Sequence, residues 1–182
     1  MIEVTQRFLP LLRAAGRGAR IVHVGSISGF IANPGGAPYC SSKFALEAIN
    51  DQMRVELAPW GISSSIVNAG IVKTAITGKF MAAKAASLER YTEELRSLYS
   101  HILNEAQDRQ LKEFAALGSP QQVATDAITD AITSPRPQIR YFVANVGGAP
   151  AWIFATAKLW MQALSLERIM DRITLATMGI EI

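Results

Sequence analysis

Two short apolar runs with one long amphipathic stretch between them constrain this chain more than anything else in it. Ile21, Val22 and Val24 read as a short buried strand, and Ile62 to Val67 as a second. From about Tyr39 to Leu57 the apolar residues Leu46, Ile49, Met53 and Leu57 line one side of a helix, while Glu47, Asp51, Arg54 and Glu56 populate the other. Pro59 and Gly61 close that helix, and Asn33 to Pro38 supply turn chemistry ahead of it. A third run, Ile139 to Ala144, reads as another strand, so strands and helices alternate along the chain.

With 182 residues, 49% hydrophobic and 18% charged, the chain can bury one sizeable core and is not disordered by composition. Its net charge of +3 is spread over singly placed Lys and Arg, with no basic run of the kind a nucleic-acid groove needs, so nucleic acid is not an expected partner. Cys40 stands alone, which excludes an internal disulfide, and His23 and His101 are isolated, so no metal site is expected. Arg7, Pro10 and Arg13 interrupt the early apolar residues where a secretory signal would be continuous; a cytoplasmic location is the default expectation.

Chemistry concentrates after the first strand. Gly25 to Gly29 form a Ser/Gly-rich loop, and ligands gather at such carboxyl ends of strands in open α/β sheets. Tyr39 and Lys43 lie i and i+4 on one helix face, where the ammonium can sit beside the phenol and favour its ionised form. A phenol so placed can exchange a proton with an alcohol or carbonyl, and the Ser26 hydroxyl can hold the same oxygen.

The order of strand, G-S-x-S-G (Gly25 to Gly29), Y-x-x-S-K (Tyr39 to Lys43), amphipathic helix, second strand, Gly turn and Thr74 resembles the catalytic half of the short-chain dehydrogenase/reductase family. The resemblance implies an α/β fold, the C-terminal half of a Rossmann-type doubly wound parallel sheet with helices on both faces, and an NAD(P)-dependent oxidoreductase acting on a hydroxyl or carbonyl group. Ser26, Tyr39 and Lys43 would be catalytic. Tyr39, Lys43, Gly70, Ile71, Val72 and Thr74 would bind NAD or NADP, with Gly70 to Val72 meeting the nicotinamide amide through backbone groups. The family usually has Pro before that Gly; Ala69 stands there instead, and a slightly looser turn is expected. The family's N-terminal strand and its T-G-x-x-x-G-x-G pyrophosphate turn do not occur before Ile21. The cofactor-binding βα units and a catalytic Asn are therefore expected to belong upstream of residue 1.

The remaining chain divides in outline. Residues 1–77 are the catalytic portion, opening with a helix from Ile2 to Arg13. Residues 78–118 are helical in pattern, and by resemblance form a substrate lid, whose Met81, Leu88, Tyr91, Leu95, Leu98, Tyr99 and Ile102 would suit a hydrophobic alcohol or ketone or a core equally well. In 119–148, Ser119 with Pro120 at the first helical position starts a helix through Ile132, followed by the third strand. In 149–182, Trp152, Ile153, Phe154, Leu159, Trp160, Met161 and Leu164 make an apolar run that either docks on the body or a second subunit or lies on a membrane surface. Ser165 to Leu175 reads as a final short helix. An alternative to the enzyme is a non-catalytic α/β fragment acting as an association module through the first helix and the Tyr39 to Leu57 helix; in the family, these two helices commonly form a homo-oligomer contact.

Overall fold

The computed structural model describes residues 1–100, 112, 116–146, 148–164, 169, 172 and 176. His101 and Ile102 lie outside these residues, as does the expected helix of Ser165 to Leu175 apart from Ile169 and Arg172.

Strands β1 (Arg20–Ser26), β2 (Ser63–Ala69) and β3 (Arg140–Val143) form one parallel sheet in the order β1-β2-β3. The register pairs Ile21 with Ser64, Ser26 with Ala69 and Val67 with Tyr141, so the carboxyl ends of β1 and β2 finish level. Side chains alternate across the sheet. Ile21 faces helices α1 (Ile2–Ala15) and α2 (Ala37–Leu57), where Ala19, Met53, Leu57 and Ile62 form a buried cluster with Leu9, Leu12 and Ile49 packed against it. Val22 faces the other way, into Val67, Tyr141, Ala127 and Ala131. Those two alanines belong to the helix Gln122–Thr133 (α5 below), and their small side chains let its backbone approach the sheet. The parallel sheet with helices on both faces is as the resemblance implied.

Between β2 and α5 lie α3 (Ile76–Leu88) and α4 (Glu93–Leu98), the latter capped by Thr92 Oγ1 accepting from the Leu95 amide at 3.3 Å. Leu95, Leu98 and Tyr99 are exposed and join neither core cluster. Beyond β3 a two-residue ribbon, β4 (Asn145–Val146) with β5 (Ala149–Pro150), leads into α6 (Ala151–Ala163). This helix docks through buried Ala151 and Ala155 and leaves Trp152, Ile153, Leu159 and Trp160 outward. Among the described residues no helix is long and apolar enough to cross a membrane.

Two readings need correction. Ser119 and Pro120 do not begin α5, which starts at Gln122. Ser119 is extended and bridged to Val72, because its amide donates to the Ile71 carbonyl at 2.8 Å and its carbonyl accepts from the Lys73 amide at 2.9 Å. Glu47, assigned to the solvent side of its helix, is buried at 8% exposure. Hydrogen bonds from Arg140 and Asn68 make that burial tolerable.

Candidate active site

Ser26 is the last residue of β1 and is buried. Its Oγ accepts from the Ser28 amide at 3.1 Å, capping the single 3₁₀ turn Ile27–Gly29 that redirects the chain toward α2. Pro38, at the start of α2, fixes the helical φ without forfeiting a needed N–H. Tyr39 therefore enters on the first turn, half exposed at 49%, and Lys43 follows one turn later on the same face. The Lys43 ammonium lies 5.6 Å from the centre of the Tyr39 ring and donates to the Val24 carbonyl at 3.1 Å. Burial holds the Lys43 pKa below the ordinary lysine value.

The turn after β2 approaches from the next strand. Gly70 donates to the Val143 carbonyl and Ile71 to the Asn145 carbonyl, each at 2.8 Å. A Cβ on Gly70 would come within 2.7 Å of the Asn145 carbonyl oxygen, so this crossing of two backbones requires glycine. Ser119 closes the far side: besides its two backbone bonds, its Oγ accepts from the Asn145 amide at 3.2 Å. In such a parallel bridge the partners of Ser119 are Ile71 and Lys73, so the N–H and C=O of Val72 between them point the opposite way. Thr74 Oγ1 accepts from the Ile76 amide at 3.2 Å, opening α3.

The structure thus brings Ser26 and the Gly70 turn level at one end of the sheet through the Ser26–Ala69 pairing, and ties Lys43 to β1 two residues before Ser26. Sequence reasoning missed the polar cluster beneath them. Glu47 accepts from Asn68 Nδ2 at 2.6 Å and from Arg140 Nε at 2.7 Å, and Arg140 also donates to Asp51 at 2.6 Å. Burial pulls on the Arg140 guanidinium, but its bonds to Asp51 and Glu47 outweigh that and hold its pKa above the ordinary value. Asn68, a polar residue inside an otherwise buried strand, was the available signal. Among the described residues no cluster of His, Cys, Asp and Glu could hold a metal ion.

Residues 1–85 match the family model described as short chain dehydrogenase. The chain is 31% identical over 151 residues to 17-beta-hydroxysteroid dehydrogenase type 1 of Mus musculus, covering 79% of this chain and 40% of that protein. It is 32% identical over 146 residues to the mitochondrial D-beta-hydroxybutyrate dehydrogenase of Bos taurus, covering 77% and 42% respectively. It therefore spans about two-fifths of the length of these relatives. A short chain dehydrogenase/reductase from Burkholderia phymatum, solved in complex with NAD, superposes with a TM-score of 0.58 at 22% identity over 90% of this chain and 54% of that one, a likeness of fold.

Proposed function

The chain belongs to the short-chain dehydrogenase/reductase family, and from that premise we propose that it carries the catalytic side of an NAD(P)-dependent oxidoreductase acting on a small hydrophobic alcohol or ketone. The observation that carries the reading is the Tyr39–Lys43 face of α2 fastened to the end of β1, with Ser26 and the Gly70 turn at the same sheet edge. The residues suit a nicotinamide carboxamide. Val72 turns one donor and one acceptor away from its own ladder, and Gly70, with no Cβ to meet the Asn145 carbonyl, lets the turn that carries Val72 lie against that backbone.

When bound, the cofactor supplies hydride transfer to or from the reacting carbon. This chain's own residues handle the oxygen. In the oxidation direction the Tyr39 oxygen takes the proton of the substrate hydroxyl as the carbon loses hydride; in reduction it returns that proton. Lys43 stabilises the negative charge on the Tyr39 oxygen and holds the nicotinamide ribose hydroxyls. Ser26 donates to the substrate oxygen and stabilises charge developing on it. Thr74 adds a contact beside the carboxamide.

The substrate class rests on Leu95, Leu98 and Tyr99, apolar groups exposed where the family places its lid. The test is a screen of secondary alcohols and ketones with NAD and NADP, comparing the unmutated protein with Tyr39→Phe. Turnover that is equal in the two removes the assignment. A second reading, association through α1 and α2, is favoured by outward Val4, Phe8, Leu11 and Val55. It is compatible with the first as the contact of a homo-oligomer, and sedimentation of Leu11→Glu against the unmutated protein tests it.

A further inference from the structure

The three pieces that would supply catalytic groups meet over one buried pair of side chains. Asn68 is fully buried and its Nδ2 donates to Glu47 Oε1 at 2.6 Å; the other carboxylate oxygen accepts from Arg140 Nε at 2.7 Å. Asn68 stands two residues before Gly70 on β2 and opposite Gly25, the neighbour of Ser26, on β1. A Cβ on Gly25 would run into Asn68 Oδ1 and lie 2.9 Å from Ile66 Cδ1, so the Asn68 carboxamide oxygen occupies the space beside Gly25 on β1. Gly29, which ends the turn after Ser26, rests in the same way on α2. A Cβ there would be 2.9 Å from the Lys43 carbonyl oxygen and 3.3 Å from Glu47 Cγ. Glu47 itself follows Lys43 by one helical turn and Tyr39 by two.

We propose that the Asn68–Glu47 pair is a positioning device that fixes where Ser26, the Tyr39–Lys43 turn and the Gly70 turn stand relative to one another. Its catalytic consequence rests on the oxidoreductase reading; its effect on geometry does not. A buried carboxylate is costly to desolvate, and an apolar pair of similar volume could hold helix to sheet as tightly. An apolar pair would leave the helix free to slide along the sheet, whereas the carboxylate with one oxygen on β2 and the other on β3 admits a single placement. Small displacements matter in such a site, since about 1 Å of misplacement can cost on the order of 10²-fold in rate.

Asn68→Asp sets two carboxylates face to face, and Glu47→Gln combined with Asn68→Asp restores one amide and one carboxylate with the polarity reversed. Amide hydrogen exchange is read without cofactor on the full chain. Asn68→Asp is expected to raise exchange in residues 25–29 and 69–73 while the middle of α5 stays as protected as before, and the double variant is expected to bring it back. Unchanged exchange in those two segments overturns the proposal. An equal rise throughout the chain overturns it too, because the pair would then serve stability alone. Should Asn68→Asp fail to fold, the double variant decides: one that folds with exchange matching the unmutated chain supports the pairing, and one that does not sinks it. With substrate, Asn68→Asp is expected to lower kcat by about 10–100-fold with KM within about threefold, and the double variant to recover most of kcat. Tyr39→Phe run in parallel separates the two ideas: if it keeps full turnover the oxidoreductase reading fails, and the exchange result still stands or falls alone.

Discussion

The Lys43 ammonium donates to the Val24 carbonyl at 3.1 Å, so the helix that carries Tyr39 is fastened to the strand that ends in Ser26. The Ser63 amide bonds to the Ala19 carbonyl, and alternation along β1 then turns Ile21, His23 and Gly25 toward β2 and the Val24 carbonyl away from it. Lys43 thus serves the edge of the sheet and the tyrosine face at once. Lys43→Ala should weaken NAD(P) binding by about tenfold or more, the loss of a charge-assisted contact, and lower turnover as well. Because burial holds the Lys43 pKa below the ordinary lysine value, its charge is lost as pH rises through that lowered value, and affinity should decline earlier on the alkaline side than a surface lysine would allow. A cofactor dissociation constant that is the same in the variant, or flat with pH up to the ordinary lysine range, would contradict the role.

Tyr39→Phe tests the proposed proton step. The ring keeps its half-exposed place on the first turn of α2 and only the hydroxyl is lost, so cofactor affinity should change little while turnover falls by about 10²–10⁴-fold. Steady-state rates beside a cofactor titration give both quantities. Activity within threefold of the unmutated protein would remove Tyr39 from the reaction.

The strands and helices that frame this site were legible because each has a local cause: periodicity for α2, a run of β-branched residues for β1, and Pro59 with Gly61 for the stop between α2 and β2. The Ser119 bridge was not. Ser-Pro ahead of an apolar-periodic stretch looks the same whether the serine caps a helix or pairs with a strand, and only the arrival of Val72 beside it decides. Glu47 was placed on the solvent side for a similar reason. Its burial depends on Arg140, far along the chain, reaching back from β3, a contact that no local window contains. The motif that proposes Ser26, Tyr39 and Lys43 lies within one local stretch, whereas the Asn68–Glu47–Arg140 cluster is built from residues distant in sequence.

His23 offers a stability test that does not involve the reaction. It is buried at 4% exposure on the α2 face of β1, its Nε2 has no partner among the described residues, and burial pushes its pKa below 6.5. Between its lowered folded value and 6.5 the unfolded chain binds a proton that the folded chain refuses, so stability should fall as pH drops through that window, with a slope of at most about 1.4 kcal/mol per pH unit from this group. His23→Val suits a strand interior and should flatten the slope without loss at neutral pH. Urea midpoints across pH 5 to 7 (roughly the range in which histidine titrates) make the comparison; an unchanged slope in the variant would assign the pH dependence elsewhere.

Gly70→Ala tests the crossing at which the proposed nicotinamide turn is formed. The added methyl would meet the Asn145 carbonyl oxygen at 2.7 Å and Val146 Cγ2 at 3.1 Å. The valine methyl can rotate, but the carbonyl belongs to the backbone that also accepts from Ile71, so the turn must shift or that bond must lengthen. Overpacking of this kind costs about 1–3 kcal/mol, and the displaced segment is the one that aims the Val72 amide and carbonyl outward. The expected outcome is a lower urea midpoint together with weaker cofactor binding, the second effect exceeding what a stability loss alone produces under conditions where the variant remains folded. Weaker folding with undiminished cofactor affinity would mean that the turn is structural and that the nicotinamide lies elsewhere.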